Sequence, residues 1–245
     1  MLIRSKVSSY LFLRILQRGH DSRFATTKNK PRRFFMFWMV QAVWVTLCCM
    51  PAIAVNSVHP AAYKAGLGVP EVLRTDVAGV ALWVLGFAVE VIADTQKWVW
   101  LARKQKKLHD EQFITRGLWG RRWVLLLSSP FPSPTACWFY TGANTNTHSR
   151  YPNYFGDITL WTGAAIVAAG VLRRGPVQAS LGWFGLSGQL KAFLLPAVAP
   201  AFVAWALLRV TGVPLSEEKY DKLYGDRKDY QEWRKNTPLL VPRIF

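Results

Sequence analysis

Long runs of uncharged apolar residues, each closed by a block of basic ones, constrain this chain more than any other feature. From Phe34 to Val55 there are 22 residues without a charge, FFMFWMVQAVWVTLCCMPAIAV, preceded by Lys28, Lys30, Arg32 and Arg33. At 1.5 Å per residue such a stretch reaches across a hydrocarbon core of about 30 Å. Within it, Pro51 can kink or end the helix, and Gln41 is the one strongly polar side chain. A second run, Val77 to Leu101, is again long enough to span. Residues 158–172 (ITLWTGAAIVAAGVL) form a shorter apolar helix stopped by Arg173 and Arg174, which spans only if Trp161 and its neighbours extend it into the interface. Residues 192–208 (AFLLPAVAPAFVAWALL) make a further hydrophobic segment, which Pro196 and Pro200 are expected to break. The fold class that follows is all-α, a multipass transmembrane helical bundle.

The charge balance agrees with this. Hydrophobic residues make up 51% of the 245, and charged ones 18%, below the roughly 25% usual for soluble domains. A disordered chain is excluded. The 31 Lys and Arg against 14 Asp and Glu leave a net charge of +17, lodged between the apolar runs. No basic stripe with interleaved aromatics, and no RNP-type or helix-turn-helix pattern, points to nucleic acid. The clusters fit anionic head groups and the positive-inside bias, which would put Lys28–Arg33 and Arg103–Lys107 in the cytosol. Cys48, Cys49 and Cys137 make no metal-ligand spacing with the four histidines, so no metal site is expected.

Two domains are read from the pattern: a basic N-terminal segment, 1–33, and a membrane domain, 34–245, with a polar cytosolic tail over 215–245. The first segment carries nine Lys or Arg and one acid, Asp21. That composition also suits a transit peptide. Residues 56–76 contain Pro60, Gly66, Gly68 and Pro70 and read as a connector, and Phe113 to Trp119 as an amphipathic one.

Two constellations carry chemistry. Glu90, Asp94 and Lys97 recur at helical spacing and form one stripe on the second apolar run. Two acids at that depth are costly unless partnered or lining a wet cavity; alternatively, this helix end has left the membrane and the charges are solvated. The second constellation is Ser149-Arg150-Tyr151-Pro152-Asn153-Tyr154-Phe155-Gly156-Asp157, directly before an apolar helix. Arg150 offers a fork for phosphate, Asn153 and the hydroxyls of Tyr151 and Tyr154 can hydrogen-bond a ribose or ring amide, and Gly156 admits close approach. Equally, these residues can be a helix-initiating turn, with Asp157 favoured near the N-terminus.

The segments GFAVEVIADTQK (86–97), RGLW (116–119), SRYPNYFGD (149–157), TGVPLSEEKYDKLYGDRKDYQEW (211–233) and TPLLVP (237–242) occur in an order that resembles the steroid 5-alpha-reductase-like family of multipass membrane proteins. RILQRGHDSRF (14–24), FWMVQAVWV (37–45) and MPAIAVNS (50–57) resemble it too, which counts against a transit peptide. The resemblance implies a helical bundle whose C-terminal half holds NADPH and which reduces an activated carbon–carbon double bond of a lipid. By motif position it implies that Glu90 and Asp94 form a polar pair against the cofactor, that Asn153 and Asp157 are cofactor ligands, and that Tyr220, after Glu217 and Glu218, is a tail tyrosine near it. Arg150 and Tyr154 enter as members of the same motif, and Lys97 as part of the charged stripe.

Three departures stand out. Tyr151 replaces the histidine usual in the motif. The acids that steroid reductases use for proton donation lie in N-terminal helices that this chain lacks, so it reads as N-terminally truncated and no catalytic acid is assigned. Finally, residues 121–147, 27 of them, stand between Gly120 and His148 where the family pattern runs on almost directly; removing them leaves GLWGHSRYPNYFGD. The stretch reads as a non-native insertion, a retained intron or gene-model error, with a lineage-specific loop as the alternative.

The function expected is an NADPH-dependent reduction of a lipid or sterol-like hydrophobic small molecule within the bilayer of the endoplasmic reticulum. One alternative is a membrane methyltransferase using S-adenosylmethionine, since isoprenylcysteine carboxyl methyltransferases and phospholipid methyltransferases have a similar Arg-His-Pro-x-Tyr motif and acidic tail. The other is an inactive truncated paralogue.

Overall fold

The computed structural model describes residues 29–64, 72–109, 111, 114, 117–119 and 149–241. The chain divides into two compact units, Met1–Cys49 and Met50–Phe245. Readings that fall on residues 1–28, and on residues 121–147, lie outside the described residues.

The first unit contributes helix α1, Pro31–Cys48, with proline in its first turn, where the missing N–H costs nothing. Its large side chains, among them Phe35, Met36 and Val40, face outward, and Gln41 is exposed with them. The single helix expected over 34–55 is split: α1 ends at Cys48 and α2, Met50–Asn56, starts afresh. Pro51 accounts for the break, because it has no N–H to give and its ring collides with the carbonyl four residues back, at Leu47.

In the second unit, α2 is followed by α3 (Pro60–Lys64), α4 (Arg74–Gln105), a short 3₁₀ turn (Gly117–Trp119), α5 (Pro152–Leu172), α6 (Gly175–Ser180), α7 (Gly185–Trp205), a π-helical turn (Ala206–Val210), α8 (Val213–Tyr224) and α9 (Lys228–Asn236). All described elements are helical. Three helices are long and apolar enough to cross a membrane: Arg74–Gln105, Pro152–Leu172 and the run Gly185–Tyr224; α1 and α2 make a fourth span if they act together. The short helix expected over 158–172 begins six residues earlier, at Pro152, and so reaches spanning length. Pro196 and Pro200 do not break α7. Pro196 is buried and Ala192 and Ala199 are fully buried, and packing of this kind holds a proline-containing helix together where no water competes.

Helix α5 lies between α4 and α7, with α2 against both α5 and α7. The α4–α5 seam is built from glycines seven residues apart. A Cβ on Gly86 would come within 2.6 Å of the Gly156 carbonyl oxygen, and one on Gly163 within 2.5 Å of the Gly79 carbonyl oxygen. The pairing of Gly79 with Gly163 and Gly86 with Gly156 makes the helices antiparallel, and the seven-residue period holds the seam on one face of each. Small residues pack backbone on backbone inside, while Val80, Trp83, Val84 and Leu85 are 41 to 55% exposed on the outside. Large apolar groups outward and small ones inward is the arrangement of a bundle solvated by lipid. The protein is an integral membrane protein of the all-helical class.

Candidate functional site

The glycine seam decides where the polar residues meet. Continuing it along α4 leads through Ala93, wholly buried, to Asp94 and Lys97, level with the first turn of α5. Because α5 starts at Pro152, the motif over 152–157 is the first turns of a spanning helix and not a loop before it. Pro152 sits at its first position, where its fixed φ helps initiation.

Asn153 and Asp94 are brought together across the seam, and the Asn153 side-chain amide hydrogen-bonds the Asp94 carboxylate. Lys97 is within electrostatic reach of both Asp94 and Lys219 of α8, and its ammonium lies 5.2 Å from the centre of the Trp119 ring. The Trp119 indole donates to the Ala93 carbonyl at 3.1 Å, and the Leu118 N–H to Gln96 Oε1 at 2.9 Å, so the 3₁₀ turn is pinned to α4. Gly117 has φ of +66° there and its Cα faces the Gln96 amide, a position that favours glycine twice over. The Asn153 Oδ1 atom is buried and without a hydrogen-bond partner.

A second layer ties this end to the tail. The Tyr154 ring stacks on Tyr151 at 5.1 Å and 5°, rests against Gly212, and its hydroxyl is hydrogen-bonded with Ser216. Glu217 is the hub: its Oε1 accepts from Arg150 Nη1 at 2.6 Å and from the Tyr151 hydroxyl at 3.0 Å, and its Oε2 meets Arg234 Nη2 at 2.9 Å. Arg234 also bonds Asp221 at 2.7 Å, which accepts from the Tyr230 hydroxyl at 3.0 Å. Burial, then the charge and hydrogen bond of Glu217, holds the Tyr151 hydroxyl well above its ordinary pKa. Burial and the bond to Asp221 push Tyr230 up to about 12. Main-chain bonds complete the clamp: Arg150 N–H donates to the Pro238 carbonyl at 3.0 Å, Tyr151 N–H to that of Leu239 at 3.1 Å, and the Ser149 hydroxyl to that of Leu240 at 2.8 Å.

Of the residues expected in the site, Asp94, Lys97, Asn153 and Tyr154 converge directly. Tyr220 lies within electrostatic range of Tyr154 and stacks on Tyr224 at 6.1 Å. Glu90 is half-buried one turn before Asp94, its backbone against Gly156, and Asp157 is half-buried one turn beyond Asn153. Arg150 faces the tail, with its Nε–H buried and unmatched. Sequence reasoning missed Ser216, Lys219, Asp221, Tyr230 and Arg234. The signal available was the Glu217–Asp221 pair at i, i+4, with Arg234 thirteen residues beyond Asp221.

The family described as "Protein of unknown function (DUF1295)" matches residues 4–123 and 145–237. The chain belongs to the DUF1295 family. The DUF1295 match passes over residues 124–144, which fall inside the 121–147 stretch. Neither the curated proteins nor the solved structures give a match. Within DUF1295, then, the site rests on this chain's own geometry: both halves of the matched region contribute, α4 from the first and α5, α8 and α9 from the second.

Proposed function

We propose that this protein is an NADPH-dependent reductase acting on a carbon–carbon double bond of a lipid or sterol-like molecule, in the membrane of the endoplasmic reticulum. One observation carries the reading: two spanning helices and the tail converge on a junction that has polar groups to spare, the buried Asn153 carbonyl oxygen and, in the layer against the tail, the Arg150 Nε–H, with Lys97 inside and the exposed Lys219 within its electrostatic reach. Two like charges held in range of each other favour an anion between them. A donor, an acceptor and two cations form a set that fits the carboxamide and phosphates of a nicotinamide dinucleotide. The resemblance of 86–97, 149–157 and 211–233 to the steroid 5-alpha-reductase-like family supports the same choice of cofactor.

When bound, the reduced nicotinamide supplies a hydride. The chain's residues do the rest. Lys97 and Lys219 neutralise phosphate charge, Asp94 fixes the Asn153 amide so that its carbonyl faces a ligand, and Tyr154, held by Ser216 and Gly212, forms a wall. The tight α4–α5 seam keeps water from entering between the helices. The family match that passes over 124–144 supports reading 121–147 as foreign to the site.

Equilibrium titration of the detergent-solubilised chain with NADPH, followed by nicotinamide fluorescence, tests this. Saturable binding that weakens about tenfold in Asp94→Ala, a charge-assisted hydrogen bond's worth, is expected. Binding of S-adenosylmethionine in place of NADPH would make the protein a methyltransferase, and binding of neither would make it an inactive paralogue.

A further inference from the structure

A second polar cluster lies at the opposite end of the α4–α5 pair. It is 18 residues along α4 from Asp94, about 27 Å at 1.5 Å per residue, so no ligand of ordinary size reaches both. There, Asp76 Oδ2 accepts from the Leu73 N–H at 3.0 Å and faces Arg174 Nη2 at 3.8 Å, while its Oδ1 is buried without a partner. Gln178, on α6, is 8% exposed; its Oε1 accepts from Gln189 at 3.1 Å, and its Nε2 is buried without a partner. The Thr75 hydroxyl, pressed against Gly170, is the third unmatched buried group. Arg173 adds a second guanidinium, bonded to Gln189 at 3.0 Å. Next to Gln189 on α7, Leu186 and Leu190 are 76% and 51% exposed.

Buried polar groups without partners are costly, and three at one helix junction call for a ligand that matches all of them. A carboxylate oxygen needs a donor, an amide N–H needs an acceptor, and the two arginines at a helix end in the interface suit a phosphate. We propose that this cluster binds a phospholipid with a primary-ammonium head group, of the phosphatidylethanolamine class. The ammonium donates to Asp76 and to the Thr75 hydroxyl oxygen, the phosphate meets Arg173 and Arg174, Gln178 donates to a phosphate or ester oxygen, and the acyl chains run along the exposed Leu186 and Leu190. A choline head group has no N–H and leaves Asp76 unmatched. This assignment is independent of the reductase reading.

Native mass spectrometry of the full chain released from nanodiscs of equal phosphatidylethanolamine and phosphatidylcholine, with identical acyl chains, tests it. Retained ethanolamine lipid should exceed choline lipid about tenfold or more, the selectivity of one charge-assisted hydrogen bond. Asp76→Asn should bring the ratio toward one, whereas Gln178→Leu, whose partner oxygen both lipids share, should lower the total lipid retained and leave the ratio unchanged. If Asp76→Asn fails to fold, Thr75→Val, which spares the Asp76–Arg174 pair, gives the same readout. A ratio near one in the unaltered chain, or an undiminished preference in Asp76→Asn or Thr75→Val, overturns the proposal.

Discussion

Glu217 shows how much depends on a single side chain at the membrane surface. Its carboxylate satisfies Arg150, Tyr151 and Arg234 together, and the side chains of Glu217 and Arg150 are only 15% and 13% exposed. Removing it strands a buried guanidinium and a phenol, so Glu217→Ala should cost about 2–3 kcal/mol of stability, read as a lowered melting midpoint in detergent. The exposed Lys222–Glu218 pair, 72% and 59% open to solvent, should cost almost nothing when broken. Tyr230 adds a pH signature. Its hydroxyl holds the proton more tightly in the folded chain than its ordinary value near 10, so its contribution to stability is fully present below pH 10 and is lost as pH rises through about 12. A melting series from pH 8 to 12 should therefore fall less steeply above pH 10 in Tyr230→Phe than in the parent; parallel curves would contradict the assignment.

The elements follow from backbone chemistry that the sequence displays unevenly. Gly79, Gly86, Gly156 and Gly163 set the α4–α5 distance, and Gly86→Leu should push the helices apart, separate Asp94 from Asn153 and cost about 3 kcal/mol or more. Gly175, with nothing within 4 Å of an added Cβ, should accept alanine with no loss of melting temperature. The spanning segments were legible because hydropathy needs only a run of apolar residues. Their ends were not: Pro152 reads as a turn residue until it is seen at the first position of α5, and Pro51 and Pro196 look alike in sequence although one ends a helix and the other does not. Both prolines are buried, so burial alone does not separate them. In the site, the stripe Asp94–Lys97 and the motif around Asn153 were legible as local spacings. Arg234 and Tyr230 were not, because their partners Glu217 and Asp221 are reached only by folding α9 back on α8.

Over the whole molecule, the polar chemistry is segregated to the two ends of the antiparallel pair. Asp94, Asn153 and the tail stand at one end, and Asp76, Arg174 and Gln178 at the other. Basic residues follow the same division. Arg103, Lys104, Lys106 and Lys107 close α4 at the Asp94 end, which the positive-inside bias assigns to the cytosol, where NADPH is available. The described residues that flank the 121–147 stretch, Trp119, which pins the turn to α4, and Ser149, which ties the motif to the tail, both belong to this end. The central claim is that this end holds the dinucleotide, and the most direct measurement is the melting midpoint of the detergent-solubilised protein with and without NADPH, for the full chain and for one lacking 121–147. A ligand that binds only the folded state raises the midpoint. The expected result is a rise in the deleted chain that exceeds any rise in the full one. No rise in either chain would contradict it.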